Sequence, residues 1–220
     1  MRSFDELIGD AVTMHRGCAC PGQVLGVRMA MLGCQLLGIE EPTQDKRLIV
    51  YVEIDRCMAD AIAAVTGCRL GKRTLKHINY GKCACTFVDT HSGRAIRISA
   101  REDARSKVGR YAPMGPDKNA TQREAYKIMP DIELFVVQEV VVDIPEHDLP
   151  GPPVSRLMCA VCGEGINDRR EIFLNGRVLC QACGQGSYYY PVHSKDKRFI
   201  KPESNVTKGT LETFPIPLSR

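Results

Sequence analysis

The chain has 220 residues, 44% of them hydrophobic, with no Trp and a formal net charge of +4 at pH 7. That is enough for one α/β domain plus a small satellite, and enough apolar surface to bury a core without covalent staples. The charge is mild and its basic residues are scattered rather than striped, which argues against a nucleic-acid groove.

Residues from Ser3 to Met14 predict an amphipathic helix, with Ser3 and Glu6 in capping-box spacing and Phe4, Leu7, Ile8, Ala11 and Val12 on one face. After the corner "HRGCACPG", a second helix is expected from Pro21 to Leu37, with proline in its first turn and Gly38 as its stop. Gly22, Gly26 and Gly33 lie inside it. Each costs roughly 1 kcal/mol against alanine, so close approach by a neighbouring backbone is the expected compensation. "RLIVYVEID" reads as a strand, with Asp55 placed to cap the helix "RCMADAIAAVTG", which Gly67 ends. Short strands follow at 75–78, 83–88 and 94–99, the last two joined by the turn composition "DTHSG". A helix is expected over 121–129 with Thr121 and Glu124 as its capping box, then a strong strand in "IELFVVQEVVVDI". "PEHDLPGPP" has linker composition. The expected organisation is a mixed α+β domain over 1–144, a linker over 145–153, a small module over 154–192 and a polar tail or docking arm over 193–220.

Eleven cysteines are the informative count. No basic-plus-apolar leader precedes Phe4 and no apolar run reaches the length of a membrane span, so the expected compartment is the reducing cytoplasm. There, close-spaced cysteines serve as metal ligands or reactive thiols rather than disulfides. Cys159 and Cys162 form one CxxC and Cys180 and Cys183 another, with Gly163 where a knuckle turn needs it. Two thiolate pairs at this spacing close a tetrahedral Zn²⁺ site, and a segment this small lacks the apolar surface to fold without one. Four protein ligands leave no open coordination position, so the zinc is expected to be structural.

Further motifs carry a resemblance. "CPGQVLGVRMAMLG", "CMADAIAAVTGCRLGKRTL", "YGKCACTF" and "CAVCGE…GRVLCQAC" stand in the order found in the FmdE family of formylmethanofuran dehydrogenase proteins, and the chain resembles that family over most of its length. The resemblance implies an α+β fold, an FmdE-like mixed α/β core followed by a treble-clef-like zinc finger. It also implies a homodimer and an association with a molybdenum or tungsten enzyme of C1 metabolism. Carried over by position, it points to Cys20, Cys57, Asp60, Cys68 and Lys82. Where relatives show histidines in the corner this chain has Arg16 and Cys18, and after "YGK" it has Cys83.

The same residues make chemical sense. Cys20 lies at a helix start, where N–H groups and the helix dipole favour a thiolate. Cys57 and Asp60 share a helix face. Cys85, two along from Cys83 on a strand, points to the same side. Cys18, Cys20, Cys57, Cys68, Cys83 and Cys85 therefore form one candidate constellation, in which some four would hold a soft metal ion or an iron-sulfur cluster. In a catalytic reading Cys20 is the thiolate ligand or nucleophile, Asp60 moves a proton or orients a ligand, and Lys82 supplies positive charge. His91 is expected to be solvated in a turn and His77 to be satisfied in a strand, while His15 abuts the corner. The alternative reading is a non-catalytic adaptor whose finger docks on a molybdenum or tungsten enzyme. Nucleic acid is disfavoured as a partner, since the finger carries only a short "DRR" basic run.

Overall fold

The computed structural model describes residues 1–17, 19–113 and 115–190. They form two compact units, one of Met1–Arg156 with Asn167–Arg169, the other of Leu157–Ile166 and the chain from Arg170 onward. Segment 145–153, expected as a linker, is held within the first unit, where Arg73 donates to the His147 carbonyl and Lys76 to that of Asp148. The expected tail at 193–220 and the last two residues of the expected finger lie outside the described residues, as does Cys18.

The first unit opens with helix α1 (Phe4–Met14), whose N-cap Ser3 closes the expected capping box with Glu6. Helix α2 (Pro21–Leu37) ends at the left-handed Gly38. Strand β1 (Leu48–Val52), helix α3 (Cys57–Thr66) and strand β2 (Leu75–His77) make a βαβ unit, since β1 and β2 pair in parallel. Strands β3 (Ala84–Asp89), β4 (Ala95–Ala100) and β5 (Phe135–Val140) add antiparallel pairs, giving the sheet order β2-β1-β3-β4-β5. Between β4 and β5 lie the short helix α4 (Ala104–Lys107), helix α5 (Lys118–Ile128) and the single turn α6 (Asp131–Leu134).

The main core fills the space between the helices and one face of this sheet, with Phe87, Ile98, Met29, Met58 and Ile62 fully buried in it. On the other face Ile49, Val88 and Ala95 are covered by Val140, Val142 and Ile144. The three glycines of α2 do what their cost demanded. A Cβ at Gly26 would stand 2.7 Å from Ala61 Cβ, one at Gly33 would enter the Phe87 ring, and one at Gly22 would stand 2.6 Å from Cys57 Sγ. Bare backbone at these points lets α2 lie directly against α3 and β3.

Three expectations are corrected. The α3 N-cap is Arg56, with no side-chain cap bond, so the Asp55 carboxylate is left for other use. Helix α5 starts one turn earlier than expected because Asp117 accepts from the Asn119 N–H, and Thr121 instead donates to the Asp117 carbonyl at 3.0 Å. The long apolar run over 132–144 is divided: its first residues form α6, β5 stops at Val140, and the rest folds back over the sheet.

Most of β6 (Arg156–Met158) and β7 (Gly165–Asn167), which pair with each other, lies in the second unit, and there β8 (Ile172–Leu174) pairs with β9 (Arg177–Leu179) through an Asn175-Gly176 turn in which both φ angles are positive. Helix α7 (Gln181–Gln185) follows. Its buried apolar cluster is only Cys159, Ile166 and Leu179. Among the described residues no helix is long and apolar enough to cross a membrane.

Candidate functional site

A cavity of about 550 Å³ opens where β1 and β2 end and α3 begins. The carboxyl ends of parallel strands beside a helix N-terminus are a recurrent ligand crevice, because the chain must splay there and the helix presents free N–H groups. Its polar wall holds His15, Cys57, Asp60 and His77, with Asp55 and Arg56 also on it, and its apolar wall includes Ile54, Leu70 and Leu75.

Two of these polar groups hold each other in place. His15 caps the C-terminus of α1, and its Nδ1 meets Asp60 Oδ2 at 2.8 Å. Asp60 lies one turn along α3 from Cys57, so the two share a face. A carboxylate on Nδ1 orients the ring and leaves Nε2 as the free nitrogen. Ala19 and Cys20 are held from both sides. Gln23, wholly buried, accepts from the Cys20 N–H at 3.2 Å and donates to the Ala11 carbonyl at 2.8 Å. Arg123 of α5 donates to the Ala19 carbonyl at 3.0 Å.

Cys20 is the N-cap of α2 and Cys57 the first residue of α3, so two helix N-termini bring their thiols together. Both sulfurs crowd the bare face of Gly22, at 2.6 Å for Cys57 and 3.9 Å for Cys20 from the point where its Cβ would stand. Burial, followed by the neighbouring Cys20 thiol, pushes the Cys57 thiol up to about 12. Cys57 on its own is thus a thiol.

The remaining cysteines of the expected constellation are not gathered with this pair into one metal site among the described residues. Cys85 is fully buried on β3, and Cys68 is buried with its Sγ 3.7 Å from the Leu48 carbonyl. Cys83 Sγ lies 3.3 Å from Met58 Sδ, and burial raises its thiol to about 11. Lys82 is exposed, its Nζ 5.8 Å from the Tyr80 ring centre, and is not part of the cavity wall. His77, which the sequence suggested was merely satisfied, is exposed and lines the cavity. His77 was missed because only the parallel pairing of β2 with β1 brings it to this wall, and Asp55, two residues before Cys57, because it was read as the α3 cap.

The second unit holds a different arrangement. The ligand atoms of Cys159, Cys162, Cys180 and Cys183 all lie within 4.8 Å of one another, and among the described residues this is the one group of its kind. Cys159 and Cys162 flank the turn ending at Gly163, while Cys180 caps α7 and Cys183 lies in its first turn. Backbone N–H groups of Cys180 and Cys183 point at the Cys159 and Cys180 sulfurs at 3.3 and 3.4 Å. N–H groups of Cys162, Cys180 and Val161 bring the Cys159 thiol down to about 6, whereas the Cys180 thiol, chiefly, pushes Cys183 up to about 12. Four thiols this close cannot all ionise without a cation, and the group could hold a metal ion that would supply it.

Comparison with known proteins bears on both units. A family model described as "FmdE, Molybdenum formylmethanofuran dehydrogenase operon" matches residues 15–136. A curated protein of Archaeoglobus fulgidus, described as a "Probable S-adenosyl-L-methionine-binding protein", is 33% identical over 198 residues, covering 79% of this chain and 51% of that protein. The chain thus spans about half the length of that relative. A solved structure of a tungsten formylmethanofuran dehydrogenase FmdE-like protein from Syntrophus aciditrophicus superposes with a TM-score of 0.59 at 18% identity, over 86% of this chain and 96% of that one. At that identity the likeness speaks for the fold alone.

Proposed function

We propose that this chain, which belongs to the FmdE family, is a metal-binding protein with two unlike sites: a structural Zn²⁺ in a C-terminal finger and a soft metal ion at the Cys20–Cys57 thiols. The observation that carries the reading is the tetracysteine group, four sulfurs within 4.8 Å of one another in a unit whose apolar core is three residues. Such a unit gains its folding free energy from the metal.

The second site rests on the thiol pair beside the cavity. Cys20 and Cys57 would hold the ion, His15, which does not cluster with them as the chain stands, would offer Nε2 only on closing toward it, and Ile54, Leu70 and Leu75 would form the apolar side facing a small ligand. Bound there, a soft metal supplies Lewis acidity and a place for a sulfur or nitrogen ligand. An iron-sulfur cluster, which needs four thiolates, is the weaker form of this reading because Cys68 and Cys85 are buried in the core. The test is titration of the reduced, full-length protein with Co²⁺, followed by its thiolate charge-transfer absorbance. The expected result is two equivalents for the unaltered chain and one for the double variant Cys20→Ser, Cys57→Ser. A single equivalent in both overturns the second site.

A second reading comes from the description of the A. fulgidus relative. The cavity would take S-adenosyl-L-methionine itself, with Asp55 and Asp60 facing the ligand's cationic groups. Calorimetric titration of the metal-free protein with S-adenosyl-L-methionine separates the two, since saturable binding without metal supports the second reading.

A further inference from the structure

We propose that Cys20 and Cys57 form a reversible dithiol–disulfide couple that takes its oxidising equivalents from a small-molecule disulfide admitted through the cavity. The proposal shares its thiol pair with the metal reading above and makes that site redox-regulated: the oxidised pair has no thiolate to offer and lets the metal go.

Three observations carry it. The two sulfurs share the space beside the bare Gly22, at 2.6 and 3.9 Å from the point where its Cβ would stand, and the Cys20 and Cys57 thiols are hydrogen-bond neighbours. Both residues are half-buried, and Cys57 lines the cavity, so an external disulfide can reach one of the two sulfurs. The other described thiols of this unit are placed otherwise: Cys34, Cys68 and Cys85 are buried in the core, and Cys83 lies against Met58. Loops capped by helix N-termini also suit the transient thiolates of exchange, because N–H groups face the developing charge.

The step balances without another reagent. Cys57 gives up its proton as its sulfur attacks one sulfur of the small disulfide and displaces the first small thiolate, leaving a mixed disulfide. Cys20 then loses its proton, and its sulfur attacks Cys57 Sγ and displaces the second small thiolate. Each departing thiolate takes up one proton. In total, two protein thiols and one small disulfide become one protein disulfide and two small thiols.

The test uses full-length reduced protein equilibrated with mixtures of oxidised and reduced glutathione, quenched in acid, alkylated and mapped by mass spectrometry. The expected product is a Cys20–Cys57 linked peptide that grows with the oxidised fraction and is lost in excess reduced glutathione. In Cys20→Ser, Cys57 should stop as the glutathione mixed disulfide. Both cysteines remaining alkylated throughout, or Cys20 linking to Cys18 instead, overturns the couple. Metal content of the same reduced preparation keeps the two readings apart. A linked peptide from a protein that binds no metal at the pair supports the couple and removes the metal reading, and a metal-loaded pair that glutathione disulfide never links does the reverse.

Discussion

Gly22 is the residue on which the thiol pair depends most locally. Adding one methyl there puts carbon 2.6 Å from Cys57 Sγ, well inside contact distance. Gly22→Ala is expected to cost about 1–3 kcal/mol through overpacking, read as a lower urea midpoint, and to weaken the second metal site, because the sulfur must move. Asp60→Asn makes a different demand. It leaves the fold intact but replaces the carboxylate that orients His15 at 2.8 Å, and affinity for the second metal should fall on the order of 10–100-fold, as when an orienting carboxylate is lost. Competition with a chelator measures this, and an unchanged affinity would remove His15 from the site. At this scale the sequence pointed to Cys20, Cys57 and Asp60, because motif position and helix spacing are local properties. It misgrouped Cys68 and Cys85 because depth is not local. β3 is buried along its whole length, so alternation along the strand does not tell a site face from a core face.

The helices show how far local chemistry reaches. Capping residues and glycine stops defined α1 and α2 closely, and the three internal glycines of α2 foretold its tight contacts with α3 and β3. Competing caps misled at α5, where Asp117 and Thr121 both had the right chemistry and the earlier one won. The α1 cap makes a pH prediction. The Ser3 hydroxyl, and then the Ser3 N–H, hold the Glu6 carboxyl below its ordinary value of 4.5. A lowered carboxyl contributes stability that is fully present above the unfolded value and is lost as pH falls through the folded one. The Ser3 amide resonance should therefore titrate with a midpoint below 4.5, and α1 should begin to fray from its N-terminus only in that acid range. A midpoint at or above the ordinary value would contradict the cap.

Across the whole molecule the two units differ in what holds them. The first has an extended core of Val, Ile, Leu, Met and Phe drawn from its helices and its five-stranded sheet, while the second has only Ile166 and Leu179 buried beside four cysteines, one of which, Cys159, is itself buried. A chelator should thus unfold the second unit and leave the first, seen as loss of amide-exchange protection confined to residues beyond 156. Cysteine spacing pointed to the four-cysteine group now found in the second unit. The cavity was not legible in advance, because it depends on β2 returning parallel to β1 around α3, a pairing that no local pattern in the chain announces. The central claim is that one chain carries two unlike metal sites. Elemental and acid-labile sulfide analysis of full-length protein purified without oxygen tests it most directly. The account predicts one zinc per chain plus a second, soft metal that Cys20→Ser, Cys57→Ser loses while keeping its zinc, with no labile sulfide; zinc alone in both proteins, or no zinc, would contradict it.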